Sequence, residues 1–360
     1  MPFPVRTALM GYGYAGSTFH APLLLSTKAL SLDLILSSKS QTLSDLFSSM
    51  GVKTTSREED IYQNPEIDLV VIATPNNTHA ALCQKALESG KHVVVDKPFT
   101  LTGAEARKLT ALAKEKELIL SVFQNRRWDS DFLTLSQAVK DIDLGTIVEF
   151  RSEMSRFRPQ VRDRWREHPT PGGGLWYDLA PHLLDQTLCL FGLPQSIFVT
   201  LQTQRPSAST TDWFNALLTY PNRIAILEAS MLAADPACRM LLRGSKGALF
   251  KQFGDRQETM LLEKTPLSDP LWGVDPDPML YFSKEEKTPQ RLTPLPGHYQ
   301  AYYANIAAAI NTTTSPVVSA DQASSLMVLL EAGLLSAQNG KAVTPSYTPD
   351  EQKTWHPLLK

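Results

Sequence analysis

Six residues, Gly11-Tyr12-Gly13-Tyr14-Ala15-Gly16, constrain this 360-residue chain more than any others. They satisfy G-x-G-x-x-G. They follow an apolar run, Arg6-Thr7-Ala8-Leu9-Met10, that reads as a strand, and they open a helical pattern. Each glycine has a physical task in such a loop: a tight turn, close approach of backbone to a pyrophosphate, and close packing of helix on strand. The N-terminus of the helix then offers N–H groups and partial positive charge to the phosphates. Turn glycines with no ligand would look the same in isolation. The strand before and the helix after point to a dinucleotide.

The first third continues in the same grammar. Apolar runs at Leu30–Leu36, Asp68–Ala73, His92–Val95 and Leu118–Val122 read as strands covered on both faces. Helical patterns at Thr78–Ser89 and Gly103–Glu117 lie between them. Alternation of this kind predicts a doubly wound parallel sheet, an N-terminal Rossmann domain over residues 1–124. From 125 to 360 the pattern changes to α+β with a mainly antiparallel, open sheet. Strands are expected at Ile147–Phe157, Ser196–Gln204, Phe214–Tyr220, Ile224–Met231 and Cys238–Gly244, with Pro221-Asn222-Arg223 as a hairpin turn. Helices are expected near Leu179–Phe191, Tyr299–Asn311 and Ala320–Asn339, and the Pro- and Asp-dense stretch 265–297 as extended loop.

Composition narrows the classes. Hydrophobic residues make up 42%, enough for ample cores, and 35 basic against 37 acidic residues leave a net charge of −2. A nucleic-acid partner is therefore not expected, even with Arg156, Arg158, Arg162, Arg164 and Arg166 close together. No apolar run reaches the ~18 residues of a membrane span, and Met1-Pro2-Phe3-Pro4-Val5-Arg6 does not read as a leader. Cys83, Cys189 and Cys238 lack metal-like spacing and are expected as buried, reduced thiols of a cytoplasmic protein.

The choice of dinucleotide rests on the end of the second strand. An NAD-binding loop usually places a carboxylate there, ~20 residues beyond the glycines, on the ribose hydroxyls. This chain has Ser37-Ser38-Lys39, and Asp33 falls too early, inside the strand. Two hydroxyls and an ammonium suit a ribose phosphate, so NADP(H) is expected in preference to NAD(H); an ordinary polar turn is the alternative.

Further motifs carry a resemblance. Ala73-Thr74-Pro75-Asn76-Asn77-Thr78-His79, Asp96-Lys97-Pro98 and Gly172-Gly173-Gly174-Leu175-Trp176-Tyr177-Asp178-Leu179-Ala180-Pro181-His182 resemble segments of the glucose–fructose oxidoreductase/inositol dehydrogenase family, over essentially the whole chain. Ser121–Asp129 and Arg164-Trp165-Arg166 are most similar to its NADP-dependent, scyllo-inositol dehydrogenase-like branch. Two departures stand out: Asp96 replaces the usual Glu, and Ala180-Pro181 replaces a Gly-containing pair.

The resemblance implies that Lys97, Asp178 and His182 are catalytic, with Tyr177 beside the substrate. It implies cofactor contacts from Thr74, Pro75, Asn76, His79, Asp96 and Lys97, from Asn125 and Arg127 at the nicotinamide end, and from Trp165 and Arg166 of the second domain. Physical reasoning runs alongside. Lys97 follows a strand at the ligand-binding edge of such sheets. Asp178 and His182, four apart, share a helix face, and His182 suits general acid–base work. The competing readings are an exposed lysine, a helix N-cap at Asp178 with Pro181 in the first turn, and core packing for Tyr177. Spacing leaves two candidates for the proton carrier, Lys97 and His182. Asp185 is a supporting residue, and no metal is expected.

The resulting expectation is an NADP(H)-dependent oxidoreductase acting on a secondary alcohol of a cyclic polyol or sugar. An exposed sheet face makes a homodimer or higher homo-oligomer the expected state. The alternatives are a non-catalytic NADP-binding sensor and a reductase of a non-sugar substrate such as a dihydrodiol.

Overall fold

The computed structural model describes residues 4–235 and 238–359. Residues Met1-Pro2-Phe3, part of the leader reading above, lie outside them. The chain divides into two compact units. One contains the stretch up to Asn125 together with Gln257–Trp272 and Tyr299–Ser324; the other contains Arg126–Arg256, Gly273–His298 and the residues from Ser325 onward.

The first unit is built on six strands: β1 Val5–Met10, β2 Leu30–Leu36, β3 Lys53–Thr55, β4 Leu69–Ile72, β5 His92–Val95 and β6 Leu120–Val122. All pair in parallel, in the order β3-β2-β1-β4-β5-β6. Every residue of β4 is buried, as a strand covered on both faces requires. The chain order reverses between β1 and β4, the switch point where ligands bind in such sheets. β3 has no apolar run to announce it. Between β5 and β6, the Gly103–Glu115 helix starts with a full capping box: Thr102 Oγ1 accepts the Glu105 N–H and Glu105 accepts the Thr102 N–H.

Two late segments return to this unit, beyond the expected boundary at residue 124. Tyr299, Tyr302 and Tyr303 are buried in it. Phe123 packs edge-on to Tyr302 and tilted against Tyr303, and Ser121 Oγ lies 2.9 Å from the Tyr302 hydroxyl.

The second unit holds eight strands: β7 Ile147–Glu153, β8 Ser196–Gln202, β9 Trp213–Thr219, β10 Ile224–Ser230, β11 Met240–Gly244, β12 Gly247–Lys251, β13 Met279–Ser283 and β14 Gln290–Leu292. Their order is β14-β13-β12-β11-β7-β10-β9-β8, and only β7 and β10 pair in parallel. The Tyr220 N–H closes on the Arg223 carbonyl in the β9–β10 hairpin. β13 and β14 lie within the stretch expected to be loop. Burial alternates along β9 and β10, so one face is buried and the other is partly exposed. The Leu175–Phe191 helix packs on the covered face through Trp176 against Phe214 and Phe191 against Phe150. On the structure as a whole, Cys83 is buried as expected, whereas Cys189 and Cys238 are partly exposed; all three are free thiols.

Candidate functional site

In the first unit, the expected cofactor residues gather at the carboxyl ends of β1, β2, β4 and β5. The backbone draws this half. Gly11 has φ +98°, and a Cβ there would lie 2.5 Å from the Ala73 carbonyl oxygen; at Gly16 it would lie 2.1 Å from that of Gly11. Those two glycines close the loop onto β4 and onto itself. A Cβ at Gly13 would meet nothing within 4 Å. The middle of the loop is open, the cradle that a pyrophosphate needs. Tyr12 packs edge-on to Phe47, and the exposed Tyr14 donates its hydroxyl to Glu258 Oε1 at 2.8 Å. The chain continues from the loop in a π-helical turn, Gly16–His20, before the α-helix Ala21–Ser26. Such turns recur at functional sites.

At the end of β2, Ser37 Oγ accepts the Lys39 N–H at 3.1 Å, and the side chains of Ser38 and Lys39 are exposed. Asp33 is engaged within the strand by Arg6 Nε at 2.5 Å. Beyond β4, the Thr74 and Thr78 hydroxyls are 2.6 Å apart, and Asn76 is buried. His79 is fully buried, with Nδ1 2.8 Å from the Pro98 carbonyl and Nε2 3.0 Å from that of Thr74. Both ring nitrogens therefore face main-chain oxygens.

Beyond β5, Asp96 Oδ1 accepts the Lys97 N–H at 2.8 Å, and Lys97 is half-buried. Burial opposes charge on Asp96. The facing His20 ring and the Lys97 and His79 charges outweigh it and hold the carboxyl down at about 2. His20 is a residue that sequence reasoning missed. It is fully buried, its Nδ1 lies 2.6 Å from the Tyr303 hydroxyl, and its Nε2 is 3.9 Å from Asp96 Oδ2. Its partner is 283 residues away, so no local pattern could reveal it. Asn125 is buried in the turn that follows β6.

The second unit brings together Trp165, Arg166, Tyr177, Asp178 and His182. The helix begins at Leu175, four residues earlier than expected, which places Asp178 in its first turn and removes the N-cap reading. Gly174, at φ +86°, turns the chain into the helix: its N–H bonds the Arg166 carbonyl at 2.8 Å, and the Leu175 N–H bonds that of Thr211 at 2.7 Å. Pro181 sits inside the helix and removes one rung of its hydrogen bonding. Arg166 Nε is 3.5 Å from Asp178 Oδ1, and its guanidinium stacks on the Trp165 ring at 4.6 Å. His182, one turn on, is 5% exposed. Tyr177 is half-buried, while its neighbour Trp176 is core, with Nε1 bonded to the Leu330 carbonyl.

Buried ion pairs hold this helix from below. Arg127 binds Asp185 through Nε and Nη2, at 2.8 and 2.7 Å, and its guanidinium lies over the Trp355 ring. That grip on the helix differs from the cofactor contact expected of Arg127. Gln186 donates to the Arg126 carbonyl and accepts from Arg239, which also binds Asp131. The 165–167 turn is fixed in the same manner: buried Arg205 joins Glu167 and Asp212 at 2.9 Å each. The arginine-rich loop is thus organised around a buried guanidinium and is more than a solvated charge run. Among the described residues no group of His, Cys, Asp and Glu could hold a metal ion, and no helix is long and apolar enough to cross a membrane.

A parallel sheet wound in this order, with an open glycine cradle at its switch point, is the Rossmann domain of a nucleotide-dependent dehydrogenase or reductase. Residues 5–124 match the NAD-binding Rossmann fold of the oxidoreductase family, and residues 136–344 match its C-terminal α/β domain. The chain belongs to the glucose–fructose oxidoreductase/inositol dehydrogenase (Gfo/Idh/MocA) family. It is 48% identical to the uncharacterized oxidoreductase YdgJ of Escherichia coli K12, over 93% of this chain and 97% of that one. It is 32% identical to scyllo-inositol 2-dehydrogenase (NADP(+)) IolW of Bacillus subtilis, over 94% and 95%. A crystal structure from Klebsiella pneumoniae superposes with a TM-score of 0.90 at 42% identity, covering 97% of this chain and 98% of that one.

Proposed function

We propose that this oxidoreductase is NADP(H)-dependent and interconverts a secondary alcohol and a ketone on a cyclic polyol or sugar, in the manner of scyllo-inositol. The observation that carries the cofactor choice is the end of β2, which reads Ser37-Ser38-Lys39 with no Asp or Glu, while Asp33, inside the strand, is held by Arg6. When bound, the nicotinamide supplies or accepts the hydride. The cradle Gly11–Gly16, the loop Thr74-Pro75-Asn76 and Asp96 hold the dinucleotide, with Asn125 toward its nicotinamide end and Trp165 and Arg166 as further cofactor contacts.

Lys97 and His182 handle the proton. The Lys97 ammonium binds the substrate oxygen and lowers the cost of its alkoxide character. His182, able to be neutral near pH 7, takes or returns the hydroxyl proton. Asp178, steered by Arg166, binds a substrate hydroxyl, with Tyr177 along the ring. Arg127 acts on none of these directly and positions their helix through Asp185. The similarity to IolW, named for scyllo-inositol and NADP, supports the substrate class. The uncovered sheet face, with Val148, Phe198 and Phe282 exposed, supports a homodimer or higher oligomer, and the cytoplasm is the proposed compartment.

Fluorescence titration with NADPH and NADH, followed by a panel of inositols and keto-sugars at saturating cofactor, tests this reading. Tighter NADPH binding with turnover of an inositol or aldose is the expected result. Stronger binding of NADH overturns the cofactor choice. Binding without turnover across the panel overturns the substrate class.

A further inference from the structure

His79 presents both ring nitrogens to groups that can only accept. Nδ1 is 2.8 Å from the Pro98 carbonyl oxygen, Nε2 is 3.0 Å from the Thr74 carbonyl oxygen, and the ring is fully buried. A neutral imidazole carries one N–H and one lone pair. In that state one of the two contacts would set a lone pair against a carbonyl oxygen. The imidazolium donates to both. A buried cation needs a counter-ion, and Asp96 is buried in the segment that His79 contacts, two residues before Pro98. The other charged or titratable groups acting on Asp96 are Lys97 and His20.

We propose that His79 is held as an imidazolium that ties the loop after β4 to the turn after β5, with Asp96 as its counter-ion. The two tied segments carry Thr74-Pro75-Asn76 on one side and Asp96-Lys97 on the other, so the charge on one ring sets the spacing between them. His79 is thereby a positioning residue whose N–H groups are already used by the main chain. Asp96 stays anionic at any working pH, since its carboxyl is held near 2, and its second oxygen anchors the Lys97 N–H. The functional consequence rests on the cofactor reading above; the charge state does not.

The test is 15N NMR of histidine-labelled protein, with the His79 signal among the seven histidines assigned by its loss in His79→Gln. Two protonated ring nitrogens at pH 7.5 are expected, and Asp96→Asn should make the ring lose its second proton at lower pH. A single ring N–H at pH 7.5, or an Asp96→Asn titration that does not move, overturns the proposal. NADPH affinity supplies the second arm. His79→Phe, which keeps a planar ring and removes both donors, is expected to weaken binding about tenfold, the scale of one hydrogen bond from a charged group. An affinity within twofold of wild type overturns the positioning role. If the wild-type protein binds neither NADPH nor NADH, the cofactor reading fails while the NMR result still decides the charge state.

Discussion

The two units are shaped from different materials. In the first, the main chain does most of the shaping: glycines close the cradle, and carbonyls of Thr74 and Pro98 receive a histidine. In the second, side chains far apart in sequence pair in buried clusters beneath a helix, as Arg127 does with Asp185 across 58 residues. The loop that opens the dinucleotide-binding fold is drawn by geometry that a side chain at Gly11 or Gly16 would obstruct. Asp178 and His182, the residues proposed above to act on substrate, stand on a helix held by the Arg127–Asp185 pair. The first half should therefore fail by steric intrusion and the second by electrostatic imbalance.

Substitutions can break or sharpen that contrast. The largest effect is expected at His182: His182→Ala should lower kcat by ~10²–10⁴-fold while leaving NADPH affinity alone, and a variant with near-wild-type turnover would remove His182 from the chemistry. Arg127→Met leaves Asp185 charged and buried, at an expected cost of about 3–5 kcal/mol. Thermal denaturation should show it, with Arg127→Met/Asp185→Leu recovering most of the loss; a double variant no better than the single would contradict the pairing. Gly16→Ala drives a methyl into the Gly11 carbonyl and should cost about 3 kcal/mol of stability, the upper range for overpacking, read as a lowered melting temperature. Gly13→Ala, with nothing within 4 Å, is the control that should keep its melting temperature.

A smaller effect lies at Asp96. Its carboxyl, at about 2, sits below the ordinary value of 3.8, so its charge stabilises the fold above that ordinary value and the contribution disappears as pH falls through about 2. Asp96→Asn is expected to lose about 2 kcal/mol at pH 7, and the gap between melting curves should narrow in acid. A gap independent of pH would rule out this account. Smallest is Lys39→Ala, expected to weaken NADPH by ~1.5 kcal/mol and leave NADH unchanged. Equal losses for both nucleotides would show that Lys39 does not meet the ribose phosphate.

The same contrast explains what could be read beforehand. β4 and β5 announce themselves because strands buried on both faces are continuous apolar runs, and β1, β2 and β6 are still dominated by apolar residues. β3, only Lys53-Thr54-Thr55, does not. The glycine loop was legible because its spacing is local. In the second unit, the start of the helix at Leu175 was hidden by the glycine run before it and by Pro181, which reads as a first-turn residue. β13 and β14 lay among prolines and aspartates. Asp178 and His182 could be placed on one helix face by spacing alone. The pairing of Arg127 with Asp185, and of His20 with Tyr303, could not, because each joins segments whose proximity exists only in the folded chain.

That last pairing has a consequence in time. The ring of His20 meets the hydroxyl of a residue 283 positions later. A ribosome adding ~5–20 residues per second leaves the amino-terminal sheet, whose last strand ends at Val122, waiting roughly 9–36 s for Tyr303 to emerge. During that interval Phe123 and His20 lack the tyrosines that finally enclose them. The half that appears first in the message is thus among the last to be completed.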